Sequence, residues 1–377
     1  MDASPASRTE RTGALLALAR SEAGPDGFLP FDRWMDLALY ADGVGYYTGP
    51  RTPFGTTGDF YTAPQVHPLF AASFAERIRA VRSRLGPDRP FTLVELGPGE
   101  GTLAAGIVSA LGAAWTSRGP TRVVLVERSA PLRAKALSRV RQAADPDTVV
   151  VSSVEGVSAL GPFEGVVVAN EFLDAQPARR LRWKGGEWRE LGVRVTAEGV
   201  RAAEGPLGTP VSGPQLPTSV PEGTVVEFSP AGEGVLREVA DHLVAGTWLI
   251  DDYGMEESEL LLAHPEGTLA TVRGHRTGPD PLAEPGEADL STFVNWTRVR
   301  TAARAAGLDV VADTSQAEAL GRWGFSGLLE RAIHGAGTSE AEVRLRLSAK
   351  NLLFGFERFR VVELAPARLA DRFRSTT

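Results

Sequence analysis

The chain has 377 residues, 43% of them hydrophobic and 23% charged, enough for a substantial core and roughly two domains of ~150 residues. Forty Lys and Arg against 47 Asp and Glu give a net charge of −7, so no global positive field exists to gather nucleic acid. With no cysteine, the sequence excludes disulfides, thiolate metal sites, iron–sulfur clusters and cysteine nucleophiles, and the five histidines lack metal-ligand spacing, so no metal is expected.

At the N-terminus, Arg8 and Arg11 precede the apolar run GALLALA, which ends at Arg20 and Glu22 without an export cleavage pattern. An amphipathic helix is the expected reading, and with no apolar stretch of ~20 residues no membrane partner is expected and the expected compartment is the cytoplasm. Residues 13–48 read as a helix, a turn at Gly24 to Gly27, and a second helix from Phe31 to Leu39 carrying Phe31, Trp34, Met35 and Leu39 as a core stripe. The segment DGVGYYTGPRTPFGTTGDFYTAPQ, dense in Gly, Thr, Pro and Tyr, reads as a long ordered loop.

From Phe91 short apolar runs (TLVEL, RVVLVE, TVVVSS, GVVVAN) alternate with Ala-rich helical stretches. Val- and Leu-rich runs without polar alternation fit strands buried on both faces, so the fold class is α/β with a parallel sheet between helices. Residues Arg179 to Glu227 break the alternation: Trp183, Gly185, Gly186 and Trp188 suggest a hairpin and GTPVSGPQLPTSVPEG a loop, an insertion. The pattern resumes with VLREVADHLVAG, a helix expected to close at Gly246, then the strand TWLIDDYG, a helix near Val294 to Ala306, and the strands LDVVAD and FRVVELA. The expected organisation is 1–90 as an N-terminal helical segment with an active-site loop, 91–178 and 228–377 as two parts of one core, and 179–227 as a β-rich insertion.

Within TLVELGPGEGTLAAGI, Glu95 ends a strand, Gly97, Gly99 and Gly101 occupy a turn, and a helix follows at once. Glycines let a ligand lie against bare backbone, and the helix start offers N–H groups. The spacing is GxGxG behind an acid, not the GxGxxG of dinucleotide sites, and an acid beside a pyrophosphate is unfavourable whereas beside a sulfonium it is suitable. This points to S-adenosyl-L-methionine and disfavours an NAD-dependent oxidoreductase. Glu127, ending the second strand, is the expected acceptor for both ribose hydroxyls. The fourth strand ends at Asn170, expected beside the cofactor, and is followed by Glu171 and Asp174, carboxylates suited to orienting a basic acceptor and drawing off its proton. A helix N-cap is the alternative reading of Asp174.

These strings together resemble the MidA family of S-adenosylmethionine-dependent methyltransferases, which includes a mitochondrial assembly factor that methylates an arginine. The likeness runs through GFLPFDRWMDLALY with GYY, GDFYTAP, ELGPGEGTL, VERS, NEFLDAQP, EGTVVEFSP, LIDDYG, GTL with the later His275, PGEADL, TSQ and GFERFRV. It implies a seven-stranded Rossmann-like methyltransferase core with an added smaller subdomain. It also implies a segment around Gly58, Asp59, Phe60, Thr62 and Pro64 that helps close the site, with Asp59, Phe60, Thr62, Asp252 and Tyr253 on the substrate side.

Where the family reads DLTAHVDF this chain reads DLSTFVNW, so Phe293 and Asn295 replace a His and an Asp. The helix start GTLAAGI lacks the acid the family often carries, and Lys135 stands where Gln is common. The expected activity is methyl transfer to a protein or peptide nitrogen such as arginine. A specialised peptide or small metabolite, or an assembly factor that holds the cofactor without turnover, are the alternatives. A homodimer is compatible with the sequence.

Overall fold

A computed structural model describes residues 7–50, 67–86, 88–112, 121–208, 211, 215–273, 276–278 and 280–374. The chain divides into two units, one of Tyr61–Phe172, Arg237–Tyr253 and Ala303–Thr377, the other of Met1–Phe60, Leu173–Leu236 and Gly254–Ala302.

The first of these carries the α/β pattern. Its strands are β1 (Phe91–Leu96), β2 (Thr121–Val126), β3 (Val149–Val154), β4 (Phe163–Asn170), β5 (Leu243–Met255), β6 (Leu308–Ser315) and β7 (Phe359–Pro366). They lie in the order β6-β7-β5-β4-β1-β2-β3, with β1 to β5 parallel and β7 antiparallel to both β5 and β6. The last two residues of β5, Gly254 and Met255, belong with the other unit, where they pair in parallel with the two-residue strand Val294–Asn295. Strand β1 is buried at every position, as its uninterrupted apolar run requires when helices cover both faces. Helices α1 (Leu69–Leu85), α2 (Thr102–Leu111) and α3 (Ala130–Ala143) contribute Phe70, Phe74, Ile78, Leu103, Ile107 and Ala136 to one core with Leu93, Leu125, Val168 and Leu249 of the sheet. One ion pair is drawn into this layer: Arg77 of α1 meets Glu363 of β7 through Nε at 3.1 Å and Nη2 at 2.6 Å, both side chains buried, and the bidentate geometry offsets their desolvation.

Gly246 departs from expectation. The preceding helix ends at His242, β5 starts at Leu243, and Gly246 sits inside the strand opposite Gly165. The two backbones approach so closely that a Cβ on Gly246 would lie 1.7 Å from the Gly165 carbonyl oxygen. The glycine therefore serves a close strand contact and not a helix cap.

In the other unit, helices Arg8–Glu22 and Phe31–Tyr40 form as the apolar spacing predicts, the first opened by a capping box in which Ser7 and Glu10 satisfy each other's backbone N–H. The segment from Arg179 to Phe228 forms strands of this unit. Arg179–Lys184 and Glu187–Val195 pair as a hairpin with Trp183 opposite Trp188, and Gly185 and Gly186 supply the turn at φ of 61° and 84°. Phe28–Pro30, Val225–Phe228 and Val200–Gly205 complete an antiparallel five-stranded sheet. Trp34, Met35, Leu39, Tyr46, Val193 and Leu290 fill its core.

Two of the residues at which the chain departs from the resemblance, Asn295 and Phe293, have packing roles in this unit. Asn295 precedes the helix Trp296–Ala305, accepts the Arg298 N–H at 3.2 Å and donates to the Glu257 carboxylate at 3.0 Å. Phe293 packs edge-on against His264 at 5.2 Å between ring centroids.

Candidate active site

The glycine turn after β1 is held tightly. Gly97 N–H donates to the Val126 carbonyl at 2.9 Å and Gly101 N–H to that of Pro98 at 2.7 Å, while Gly97, Gly99 and Gly101 take φ of 62°, 53° and 79°. A Cβ on Gly101 would sit 2.8 Å from the Ala136 Cα on α3, so the turn admits no side chain there. Glu100 pairs with Lys135 at 3.5 Å and Arg139 at 3.2 Å, which ties the turn to α3.

Glu95 is buried at the end of β1, and its Oε2 accepts the Ala104 N–H at 3.1 Å in the first turn of α2. The carboxyl thus fixes the helix start as well as lining the turn. Burial, with the Glu127 charge adding, pushes its pKa up to about 8. Glu127, one residue past β2, accepts the Ser129 N–H at 2.8 Å and is also bonded by the Gly99 and Arg128 N–H groups. Burial outweighs these bonds and pushes its pKa up to about 7.

Where β4 ends beside β5, four polar residues are knitted together. Asn170 Nδ2 donates to Glu171 Oε1 at 3.2 Å, and the Glu171 N–H donates to the Asp251 carbonyl at 2.9 Å. The Phe172 N–H donates to Asp252 Oδ2 at 3.1 Å, and Asp252 Oδ1 accepts the Tyr253 N–H at 2.9 Å. Glu171 has a φ of 49°, the one positive value at a non-glycine among the described residues. Such backbone costs about 1–3 kcal/mol and persists where the surroundings dictate it, typically at functional positions. Tyr253 packs on Phe359 at 5.4 Å between centroids.

The structure therefore brings Glu95, Gly97, Gly99, Gly101, Glu127, Asn170, Glu171, Asp252 and Tyr253 into one unit, at the carboxyl ends of its parallel strands, where ligands of open α/β sheets bind. Asp174 belongs to the other unit, buried, with its carbonyl accepting the Thr292 N–H at 3.0 Å. It caps no helix, because the chain there makes a turn closed by Gln176 N–H on the Leu173 carbonyl and then enters the strand Arg179–Lys184. Asp59, Phe60 and Thr62 lie outside the described residues, as do Gly58, Pro64 and His275.

Sequence reading passed over Asp251, which is 0% exposed within β5, opposite the last residue of β4, with neither carboxylate oxygen hydrogen-bonded. Its pKa is raised well above the usual range, by burial first and the Glu171 charge second. The doubled acid closing the apolar run TWLIDDYG was the available signal, since strand alternation sends consecutive residues to opposite faces.

These groups fit an adenosyl sulfonium. The turn has no room for its own side chains, two buried acids stand beside it, and Asn170 Oδ1 is buried without a partner. Among the described residues no cluster of three His, Cys, Asp or Glu is arranged for a metal, and no helix is long and apolar enough to cross a membrane.

Comparison with known proteins gives the same chemistry. Residues 69–313 match the sequence profile of a family of S-adenosyl-L-methionine-dependent methyltransferases. The chain is 29% identical to the mitochondrial protein arginine methyltransferase NDUFAF7 homolog of Drosophila melanogaster, over 78% of this chain and 71% of that protein. Its Mus musculus counterpart is 28% identical over 72% and 65%. A crystal structure of a Burkholderia thailandensis protein bound to S-adenosyl-homocysteine superposes with a TM-score of 0.83 at 29% identity, covering 96% of this chain and 94% of that one. The cytoplasmic compartment expected from the sequence is corrected by these relatives, whose names place them in mitochondria.

Proposed function

Since this chain belongs to the MidA family of S-adenosyl-L-methionine-dependent methyltransferases, we propose that it methylates a basic nitrogen of a protein or peptide, arginine being the best-fitting acceptor. The observation that carries this reading is the carboxyl-rich junction of β4 and β5, where Glu171, on its strained backbone, and Asp252 stand side by side. A guanidinium offers such carboxylates several donors in a planar fork. The names of the curated relatives support the same acceptor class.

In this reading Gly97, Gly99 and Gly101 provide the bare backbone on which the cofactor rests, Glu127 accepts from its ribose hydroxyls, and Glu95 and Asn170 line its remaining polar edge. When bound, S-adenosyl-L-methionine supplies an electrophilic methyl group. Glu171 orients the acceptor nitrogen and receives the proton it sheds, and its strained backbone fixes the direction of the carboxylate. Asp252 and Tyr253, beside Glu171, contribute to acceptor binding. Positioning two reactants for in-line displacement supplies much of the acceleration, so a rigid junction is worth more here than a strong base.

The test is transfer of a labelled methyl group from the cofactor to a lysate of the native host and to matched peptides bearing arginine, lysine or neither, with the label located by mass spectrometry. Label on arginine supports the reading. Label confined to small metabolites, or none on any acceptor, overturns it.

A further inference from the structure

Strand register places the reacting end of the cofactor site more closely. In the parallel sheet Glu95 of β1, Val168 of β4 and Leu249 of β5 are mutually in register, and Val168 and Leu249 face the core beneath α1, α2 and α3. Two residues further along each strand the side chains return to that face. The next tier is therefore Gly97, Asn170 and Asp251: a bare position, an amide and an acid in one row at the foot of the glycine turn, with Asp251 paired to Asn170 in register. Asp252, one residue on, turns to the opposite face and accepts backbone N–H groups.

Asp251 is distinctive in that row. It is wholly buried, and among the described residues it is the one carboxyl whose two oxygens both lie buried without a hydrogen-bond partner. A buried carboxyl left this way is strongly unfavourable unless a cation arrives or a proton is retained. Burial and the neighbouring Glu171 charge both act to keep its proton in the absence of ligand. A fixed positive charge entering the tier reverses that balance, while a neutral group of the same shape leaves it unchanged.

We propose that Asp251 is the residue that senses positive charge at the reacting centre, so that the enzyme favours the sulfonium cofactor over its neutral thioether product, S-adenosylhomocysteine. This rests on the cofactor-site reading above but not on the identity of the acceptor. It gives the residue a part in turnover: loss of the methyl group removes the charge and with it the attraction, which speeds product release.

The test is equilibrium binding of three probes to the full chain by calorimetry: S-adenosyl-L-methionine, S-adenosylhomocysteine, and sinefungin, which carries an ammonium at the place of the transferred methyl group. The parent is expected to bind both cationic probes at least as tightly as the thioether. Asp251→Asn is expected to weaken both cationic probes about tenfold or more and to change the thioether less than threefold. Equal weakening of all three probes, or no change in any, overturns the proposal, as does a parent that prefers the thioether by more than tenfold, a result available even if the variant does not fold. Failure of the parent to bind any of the three would strike the cofactor-site reading itself, a distinct outcome from an unchanged ratio.

Discussion

Replacing Glu127 by Gln separates the cost of a buried acid from its use. In the folded chain the carboxyl titrates at about 7, against an ordinary value of 4.5, because burial outweighs the N–H groups that Ser129, Gly99 and Arg128 offer it. The folded state then holds the proton more tightly than the unfolded chain. The resulting penalty is absent below about pH 4.5, grows as the pH rises, and is complete above about pH 7. The rise from 4.5 to about 7, at ~1.4 kcal/mol for each tenfold in proton affinity, sets its upper size at roughly 3 kcal/mol. Gln keeps the shape and one acceptor oxygen but loses charge-assisted bonds to those N–H groups, which returns part of the gain. The net expectation is an apo protein stabilised by about 1–2 kcal/mol at pH 8 and unchanged or weaker at pH 5. If the same carboxylate accepts two ribose hydroxyls, its loss removes about 1.5–3 kcal/mol of binding, a weakening of S-adenosylhomocysteine by ~10–100-fold. Parent affinity for that ligand is also expected to rise with pH through about 7 as the acid ionises. Thermal melts at the two pH values and titration calorimetry measure both arms. A variant equally destabilised at pH 5 and pH 8, or one that binds the ligand within threefold of the parent, refutes the argument.

Three further substitutions probe the site and its frame. Gly101→Ala puts a methyl 2.8 Å from the Ala136 Cα at a φ of 79°, so it is expected to cost about 2–4 kcal/mol of stability and most cofactor affinity, read by melting and by ligand-induced stabilisation. Glu171→Gln keeps the hydrogen bond of its N–H to the Asp251 carbonyl and is expected to remove turnover while S-adenosylhomocysteine affinity stays within about threefold; parallel loss of both would assign Glu171 to the frame. Asn295→Ala removes the acceptor for the Arg298 N–H and the donor to Glu257, and is expected to lower stability by about 1–2 kcal/mol without changing cofactor affinity.

The alternation of apolar runs and Ala-rich helices made the parallel sheet legible, because strands covered on both faces must be apolar throughout, as β1 is. The hairpin of the insertion was legible for a similar reason: two adjacent glycines at positive φ leave the flanking tryptophans opposite each other. Gly246 was not, since a glycine after a helical pattern ordinarily ends it, and only the neighbouring strand, with Gly165 pressed against it, shows why it stands in a sheet. Asp174 likewise has the composition of a cap, but the chain after it turns into a strand.

By itself the sequence determined the kind of cofactor, because glycine spacing and the placement of Glu95 and Glu127 are local matters of backbone freedom and charge along one strand–turn–helix. Only the tertiary structure decided that Asp251 shares a tier with Asn170 and Gly97, and that Glu171 carries a strained backbone beside it. Register between strands more than 70 residues apart is set by how their side chains pack, and the protonation of an acid is set by the water that packing removes. Neither quantity exists until the sheet has closed.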